Sequence, residues 1–224
     1  MGNLRSVAKA LESLGATVKI TASPDIIENA SGVVLPGVGA MPDAMKALQK
    51  AKVISNIKKA IAEDKPFLGI CLGLQLLFEN SEEGGGCKGL GIFKGSVPKF
   101  AFSKLLTSDQ RPATALKIPH MGWNQIKIKM ADGGPATKAS AGRQRTAVKN
   151  KGILAGLKDD SYVYFVHSYY VKPKDKNIIA TTTNYGFEFC SSIAEGNLFA
   201  CQFHPEKSQK VGLKILQNFV NMCN

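Results

Sequence analysis

The chain has 224 residues, of which 44% are hydrophobic, 21% charged and 8% aromatic. This length and composition suit a single domain with its own core, and they exclude a collagen-like, coiled-coil or largely disordered chain. No stretch reaches the roughly 18 apolar residues that a membrane-spanning helix requires, so we expect no membrane association. We predict one domain over residues 1–224, located in the cytoplasm, or in a plastid if a transit peptide precedes this sequence.

The formal net charge of +12 is concentrated in one segment. Residues 127–151 contain seven Lys or Arg and one Asp, a net +6, among many Gly, Ala, Ser and Thr residues without apolar periodicity. This composition is typical of a flexible, solvated insertion. A nucleic-acid site would add interleaved aromatic residues or a known motif, so we expect no nucleic-acid partner.

The cysteines argue against a disulfide framework and against a metal site. There are five, at positions 71, 87, 190, 201 and 223, and none forms a C-x-x-C pair. An odd number at irregular spacing, with only three histidines, favours free thiols in a reducing compartment. We predict no metal and no cofactor.

The first half of the chain alternates helices and short apolar strands. Apolar residues at helical spacing predict a helix over residues 3–14, followed by a strand at 17–20, a helical turn from 23 and a strand at 32–35. A helix over 42–63, a strand at 67–71 and a helix over 72–80 follow. Repeated units of this kind predict the α/β class with a doubly wound, mostly parallel sheet covered on both faces.

The second half predicts antiparallel additions to that sheet. Alternating runs occur at residues 123–128, 162–171, 178–185, 189–195 and 198–203, with a turn at 195–197 and a final helix from about 208. An α/β domain of this type should open with a strand, whereas this sequence opens with a helix. We therefore expect the first strand to be missing from this sequence.

Gly69-Ile70-Cys71-Leu72-Gly73 lies between a predicted strand and a predicted helix. This is the pattern of a nucleophile elbow, in which flanking glycines permit a tight turn that presents the nucleophile. The N-terminus of the following helix would stabilise a thiolate and receive an oxyanion. An ordinary buried cysteine between packing glycines would give the same pattern.

Gln202-Phe203-His204-Pro205-Glu206 follows an apolar strand. A catalytic cysteine needs a histidine to exchange its proton and a carboxylate to orient the imidazole. Because strand residues alternate faces, positions two apart point the same way. We therefore predict Cys71 as nucleophile, His204 as base and Glu206 as orienting acid, although His-Pro-Glu alone is also common at protein surfaces.

These motifs resemble those of the class I (triad) glutamine amidotransferases. Within that class, four further segments are similar to the glutaminase subunits of imidazole glycerol phosphate synthases: P-G-V-G from Pro36, P-H-M-G-W-N from Pro119, F-V-H-S-Y from Phe165 and F-H-P-E-K-S from Phe203. The resemblance covers nearly the whole chain, apart from the basic insertion and the opening strand. It implies hydrolysis of glutamine and transfer of ammonia to a (βα)8-barrel cyclase in histidine biosynthesis.

The same resemblance implies roles for residues around the thiol. The oxyanion would be bound by the backbone N–H groups of Val38 and Leu72. Glutamine would be bound by the side chains of Gln75 and Glu83, with backbone contributions from Gly39, Gly73, Ser168 and Tyr169.

The resemblance also places Met121, Gly122 and Trp123 at the surface that docks the cyclase. By composition alone, a single tryptophan such as Trp123 is more often a core residue than an interface residue. His120 and His167 have no acidic residue beside them in the sequence, so we predict structural or interface roles for both.

Two other functions remain open at this stage. The chain could serve another amidotransferase of the same class, with a different acceptor enzyme. It could also be a catalytically silent binding module, since its net charge suits anionic partners and we expect its opening strand to be missing.

Overall fold

The computed structural model describes residues 2–37, 39–102, 116–129 and 152–224. These residues form six α-helices and eleven strands. The helices are α1 (Gly2–Glu12), α2 (Pro24–Asn29), α3 (Met41–Lys50), α4 (Ile54–Ala62), α5 (Leu72–Leu76) and α6 (Gln209–Cys223). The strands are β1 (Val33–Gly37), β2 (Phe67–Cys71), β3 (Phe78–Ser81), β4 (Cys87–Lys88), β5 (Phe93–Val97), β6 (His120–Ile128), β7 (Ser161–His167), β8 (Lys172–Pro173), β9 (Ile179–Asn184), β10 (Glu188–Glu195) and β11 (Leu198–Cys201).

The main sheet is mixed and has seven strands in the order β1-β2-β11-β10-β9-β6-β7. β1, β2 and β11 run parallel, and the remaining neighbours pair antiparallel. The predicted α/β class with antiparallel additions is confirmed. A second, four-stranded sheet has the order β4-β3-β5-β8.

Apolar side chains cover both faces of the main sheet, as predicted. All five residues of β2 are buried, and successive residues of a strand point to opposite faces. Leu68 and Ile70 belong to the hydrophobic cluster that includes α1 and α6 residues. Phe67 belongs to a second cluster with residues of α3 and α4. β2 is therefore held from both sides, which gives the residue at its end a rigid support.

Three sequence-based element predictions are wrong. Residues 17–20 form no strand, since they pair with no strand among the described residues and Ile20 is exposed. The predicted helix over 42–63 divides into α3 and α4, because Lys52 adopts a left-handed backbone (φ 56°). The predicted helix over 72–80 ends at Leu76, since β3 pairs with β4 and β5.

The predicted basic insertion is described only at its start. Lys127 and Ile128 belong to β6 and pair with β9, and residues 130–151 lie outside the described part of the chain. None of the helices described is long and apolar enough to cross a membrane.

Candidate active site

Cys71 lies at the end of β2, immediately before α5. Its backbone has φ 54° and ψ −106°, a region that residues with a Cβ rarely occupy. Such strain persists only where the surrounding structure enforces it, and it clusters at functional sites. The elbow predicted from the glycine-flanked cysteine is present.

Two glycines allow the elbow to pack closely. A Cβ on Gly73 would lie 1.8 Å from the carbonyl oxygen of Leu35 in β1, and a Cβ on Gly69 would lie 2.8 Å from the Ala200 Cβ in β11. Real Cβ atoms do not approach other atoms this closely. The glycines therefore let α5 and β11 sit directly against the strands that support Cys71.

His204 and Glu206 form a buried pair beyond the end of β11. His204 Nδ1 lies 2.9 Å from Glu206 Oε1, and their side chains are 2% and 0% exposed. The carboxylate accepts a hydrogen bond from the Nδ1–H group. Nε2 is therefore the nitrogen that can exchange a proton with a thiol. This is the orientation that a base beside a cysteine nucleophile requires.

Burial by itself would lower the pKa of His204. Hydrogen bonding and charge attraction from Cys71 and Glu206 outweigh that effect and raise the pKa to about 9. At neutral pH the imidazole is therefore held in its charged form. A charged imidazole beside the thiol also holds a proton that it can give to a leaving group.

Ser208 anchors the turn that carries His204. Its hydroxyl donates to the His204 carbonyl (2.7 Å) and accepts from the backbone N–H of Tyr164 in β7 (3.0 Å). The His204 N–H in turn donates to the Tyr164 carbonyl (2.9 Å). These bonds fix His204 against the main sheet.

Sequence reasoning missed two groups that contact the thiol. Gln202 Nε2 donates to Cys71 Sγ (3.6 Å), and the Cys71 thiol faces the Val166 carbonyl (3.8 Å). Gln202 is fully buried and also accepts from Gln75 Nε2 (3.0 Å). The spacing of Gln202 and His204, two residues apart, was the available signal, because the sequence predicts a strand up to residue 203 and such positions point to the same side of a strand.

Comparisons with known proteins agree with this geometry. The sequence profile of the family "Glutamine amidotransferase class-I" matches residues 1–223. "Imidazole glycerol phosphate synthase subunit HisH" of Caldanaerobacter subterraneus subsp. tengcongensis is 46% identical over 222 residues, covering 99% of this chain and 94% of that protein. The protein of the same name from Aquifex aeolicus is 47% identical over 220 residues, covering 98% and 91%.

The chain belongs to the class I glutamine amidotransferases, in the HisH family. Solved structures support the fold alone. One described as "glutamine amidotransferase" has a TM-score of 0.66 at 14% identity and covers 98% of this chain and 93% of its own. PurLQS from Thermotoga maritima has a TM-score of 0.62 at 16% identity, with 97% and 91% covered.

Of the residues predicted to bind glutamine, Gln75 is connected to Cys71 through Gln202. Gln75 is buried and donates to the Tyr169 carbonyl (3.2 Å). The carboxylate of Glu83 accepts a hydrogen bond (2.7 Å) from the backbone N–H of Met41, which is the first residue of α3. Burial, assisted by the charges of Glu83 and Glu82, raises the pKa of Tyr169.

Of the two predicted oxyanion groups, the described residues include only the N–H of Leu72. Leu72 is the first residue of α5. Gly37 at the end of β1 pairs in register with Cys71, and a Cβ on Gly37 would lie 2.8 Å from the Leu72 Cβ. Val38 lies outside the described residues, and Gly39 follows it with φ 93°. Ser168 directs its carbonyl to the N–H of Phe100 (3.0 Å).

The segment predicted to face the cyclase is exposed. Met121 is 61% exposed and Trp123 is 46% exposed. Gly122 has φ 130° and open space where a Cβ would be. A groove of about 540 Å³ beside this segment is lined by Trp123, Tyr162, Ser208, Gln209, Lys210 and Val211. None of the three predicted triad residues lines this groove, so it belongs to the outer surface of this amidotransferase and not to the site around the thiol.

Proposed function

We propose that the chain hydrolyses glutamine to glutamate and ammonia with the triad Cys71, His204 and Glu206. We further propose that it delivers the ammonia to a (βα)8-barrel cyclase, which forms imidazole glycerol phosphate and AICAR in histidine biosynthesis. The observation that carries the proposal is the strained cysteine elbow brought next to a buried His–Glu pair. Membership in the HisH family supports the acceptor and the pathway.

The chemistry follows from the positions of these groups. The Cys71 thiolate attacks the glutamine carboxamide carbon, and the resulting tetrahedral intermediate collapses to a glutamyl thioester. The His204 imidazolium donates its Nε2 proton to the leaving ammonia, and the neutral ring then removes a proton from the water that hydrolyses the thioester. Glu206 keeps Nδ1 protonated throughout, so that Nε2 alone exchanges protons.

Backbone N–H groups would stabilise the charge that develops on the carboxamide oxygen. Leu72 N–H stands at the start of α5, directly after the nucleophile. We assign the second donor to Val38, the residue after β1 in the sequence, since β1 ends at Gly37 in register with Cys71. Gln75, Glu83, Gly39, Gly73, Ser168 and Tyr169 form the proposed glutamine pocket.

The proposed cyclase interface includes Met121, Gly122 and Trp123. Large exposed apolar side chains beside a groove are typical of the centre of a protein interface. Ammonia is small and reactive, and a docked partner would receive it without release to solvent. We place this activity in the cytoplasm.

Glutamine hydrolysis with and without the cyclase subunit tests the proposal. We expect glutamate formation to rise on addition of the cyclase and to be abolished in Cys71→Ala. Cys223→Ala, which removes a thiol of α6, is the matched control and should retain activity. Undiminished hydrolysis in Cys71→Ala would contradict the triad. Activation by a different acceptor enzyme alone would contradict the pathway, and background turnover with the cyclase present would favour a silent binding module.

A further inference from the structure

A continuous line of hydrogen bonds connects strand β6 with the candidate nucleophile. At its outer end, Asn124 Nδ2 donates to the Asn184 carbonyl (2.9 Å) and lies 3.2 Å from His120 Nε2. His120 Nδ1 lies 3.0 Å from His167 Nε2, and His167 Nδ1 lies 2.8 Å from the Tyr169 carbonyl oxygen. The two histidines are direct register partners of the β6–β7 ladder.

The inner end of the line reaches the thiol. The Tyr169 carbonyl also accepts from Gln75 Nε2 (3.2 Å). The same Gln75 nitrogen donates to Gln202 Oε1 (3.0 Å), and Gln202 Nε2 donates to Cys71 Sγ (3.6 Å). Both amide protons of Gln75 are thereby engaged, which sets the orientation of its side chain.

Only one arrangement of protons satisfies this line. A carbonyl oxygen can only accept, so His167 must carry its proton on Nδ1 and present a lone pair on Nε2. His120 must then donate from Nδ1, which leaves its Nε2 to accept from the Asn124 amide. Each ring is neutral and is protonated on Nδ1.

The surroundings favour neutral rings. His120 and His167 are 3% and 6% exposed, and Phe100, Phe165 and Phe189 pack against both. Burial lowers the pKa of His120 to about 4. Burial also lowers the pKa of His167 to about 3, although its bond to the Tyr169 carbonyl opposes that shift.

We propose that His120 and His167 are positioning residues for glutamine hydrolysis. Their hydrogen bonds hold the Tyr169 carbonyl where it orients Gln75, and they join the glutamine pocket to the strand that exposes Met121 and Trp123. The kinetic part of this inference rests on the proposed glutaminase function.

The tautomers can be tested without any activity. Long-range ¹H–¹⁵N NMR spectra of histidine-labelled protein should show two neutral rings protonated on Nδ1 at pH 7. Free histidine side chains favour the other tautomer, so the expected signature is distinctive. Assignment uses His120→Asn and His167→Asn, each of which should remove one signal set. A charged ring, or a proton on Nε2 of either residue, would overturn the proposal.

The kinetic test compares two replacements of nearly equal shape, with the cyclase subunit present at saturation. His167→Asn keeps an N–H for the Tyr169 carbonyl, whereas His167→Leu does not. Loss of one buried hydrogen bond corresponds to a change of about tenfold in an equilibrium. We expect His167→Leu to raise the KM for glutamine about tenfold with kcat changed by less than about threefold, and His167→Asn to restore most of the KM.

Phe189→Leu controls for packing, because Phe189 contacts both imidazole rings without taking part in the hydrogen bonds. It should lower thermal stability and leave the KM unchanged. Equal KM shifts in His167→Leu and His167→Asn, or the same shift in Phe189→Leu, would show that the histidines act by packing alone. If Cys71→Ala retains hydrolysis, the proposed function fails. The NMR measurement of the two histidine tautomers would still test the hydrogen-bond assignment, because it does not depend on activity.

Discussion

The carboxylate of Glu206 lies 2.9 Å from the Nδ1 atom of His204, and both side chains are almost completely excluded from solvent. Burial and charge pairing act in opposite directions on the histidine, and pairing dominates, since the pKa of His204 is raised to about 9. The charge state of the proposed base is thus set largely by one carboxylate and one thiol.

Replacement of that carboxylate tests this dependence. Glu206→Gln keeps the shape and removes the charge, so we expect the NMR titration midpoint of His204 to fall from about 9. We also expect kcat for glutamine to fall by at least about 100-fold, since an incorrectly oriented base contributes little to proton transfer. Glu188→Gln, which alters an exposed carboxylate paired with Lys129, is the control and should change neither quantity. An unchanged kcat in Glu206→Gln would remove Glu206 from the proposed triad.

The buried histidine pair predicts a stability change in mild acid. The unfolded chain protonates these histidines near pH 6.5, whereas the folded chain does so only near pH 4 for His120 and pH 3 for His167. The stability that comes from holding both histidines neutral is therefore fully present above pH 6.5. It is lost as the pH falls from 6.5 towards the folded-state pKa values of about 4 and about 3. Each histidine should lower the free energy of unfolding by about 1.4 kcal/mol per pH unit there.

Urea unfolding between pH 6 and pH 5 measures this slope, since His204, with its pKa raised to about 9, is charged in the folded chain and largely charged in the unfolded chain over that range. Most exposed carboxylates remain ionised in that range, so they contribute little. His120→Phe should reduce the slope contributed by the pair by about half. Identical slopes in the wild type and the variant would show that His120 is not held neutral in the folded protein.

Gly73 should be intolerant of any side chain. In Gly73→Ala the new methyl group would lie 1.8 Å from the Leu35 carbonyl oxygen, so β1 or α5 must move. We expect a loss of more than about 3 kcal/mol in the free energy of unfolding. Gly91→Ala is the matched comparison, since Gly91 has φ 65° and open space around it, and should cost only about 1–2 kcal/mol of backbone strain. Similar losses in the two variants, measured by urea unfolding, would contradict the proposed close approach.

The exposed tryptophan should matter for binding more than for folding. Trp123→Ala is expected to weaken the affinity for the cyclase subunit by about 30-fold or more, because aromatic anchors dominate protein interfaces. Its thermal stability should change little, since the side chain is about half exposed. Ile20→Ala, at another exposed apolar side chain, should leave the affinity unchanged. Calorimetric titration of both variants with the cyclase measures the difference.

Local patterns predicted the elements that carry the chemistry. The apolar run of residues 67–71 predicted β2 with the bounds observed, and the two glycines around Cys71 predicted the elbow. The turn at residues 195–197 and the strands on either side of it were also predicted, because a short polar turn between apolar runs determines a hairpin. The Cys–His–Glu assignment stays a prediction that the geometry favours.

Long-range contacts account for the elements and residues that were missed. Phe78–Ser81 reads as the end of a helix in the sequence, and its pairing with β4 and β5 makes it a strand. The contacts of Gln202 with Cys71 and Gln75 join residues 131 and 127 positions apart. The same limit applies to His120 and His167, whose separation of 47 positions conceals their direct pairing.

That pairing also restricts how β6 and β7 can assemble. A slip of one residue would turn every side chain of β6 to the opposite face of the sheet. His120 and Asn124 would then face solvent, and the His167 ring would remain buried opposite an apolar side chain, without its imidazole partner. A buried polar group without a partner is costly, so the histidine pair adds to the buried Val163 and Phe165 in discriminating between alignments of the two strands.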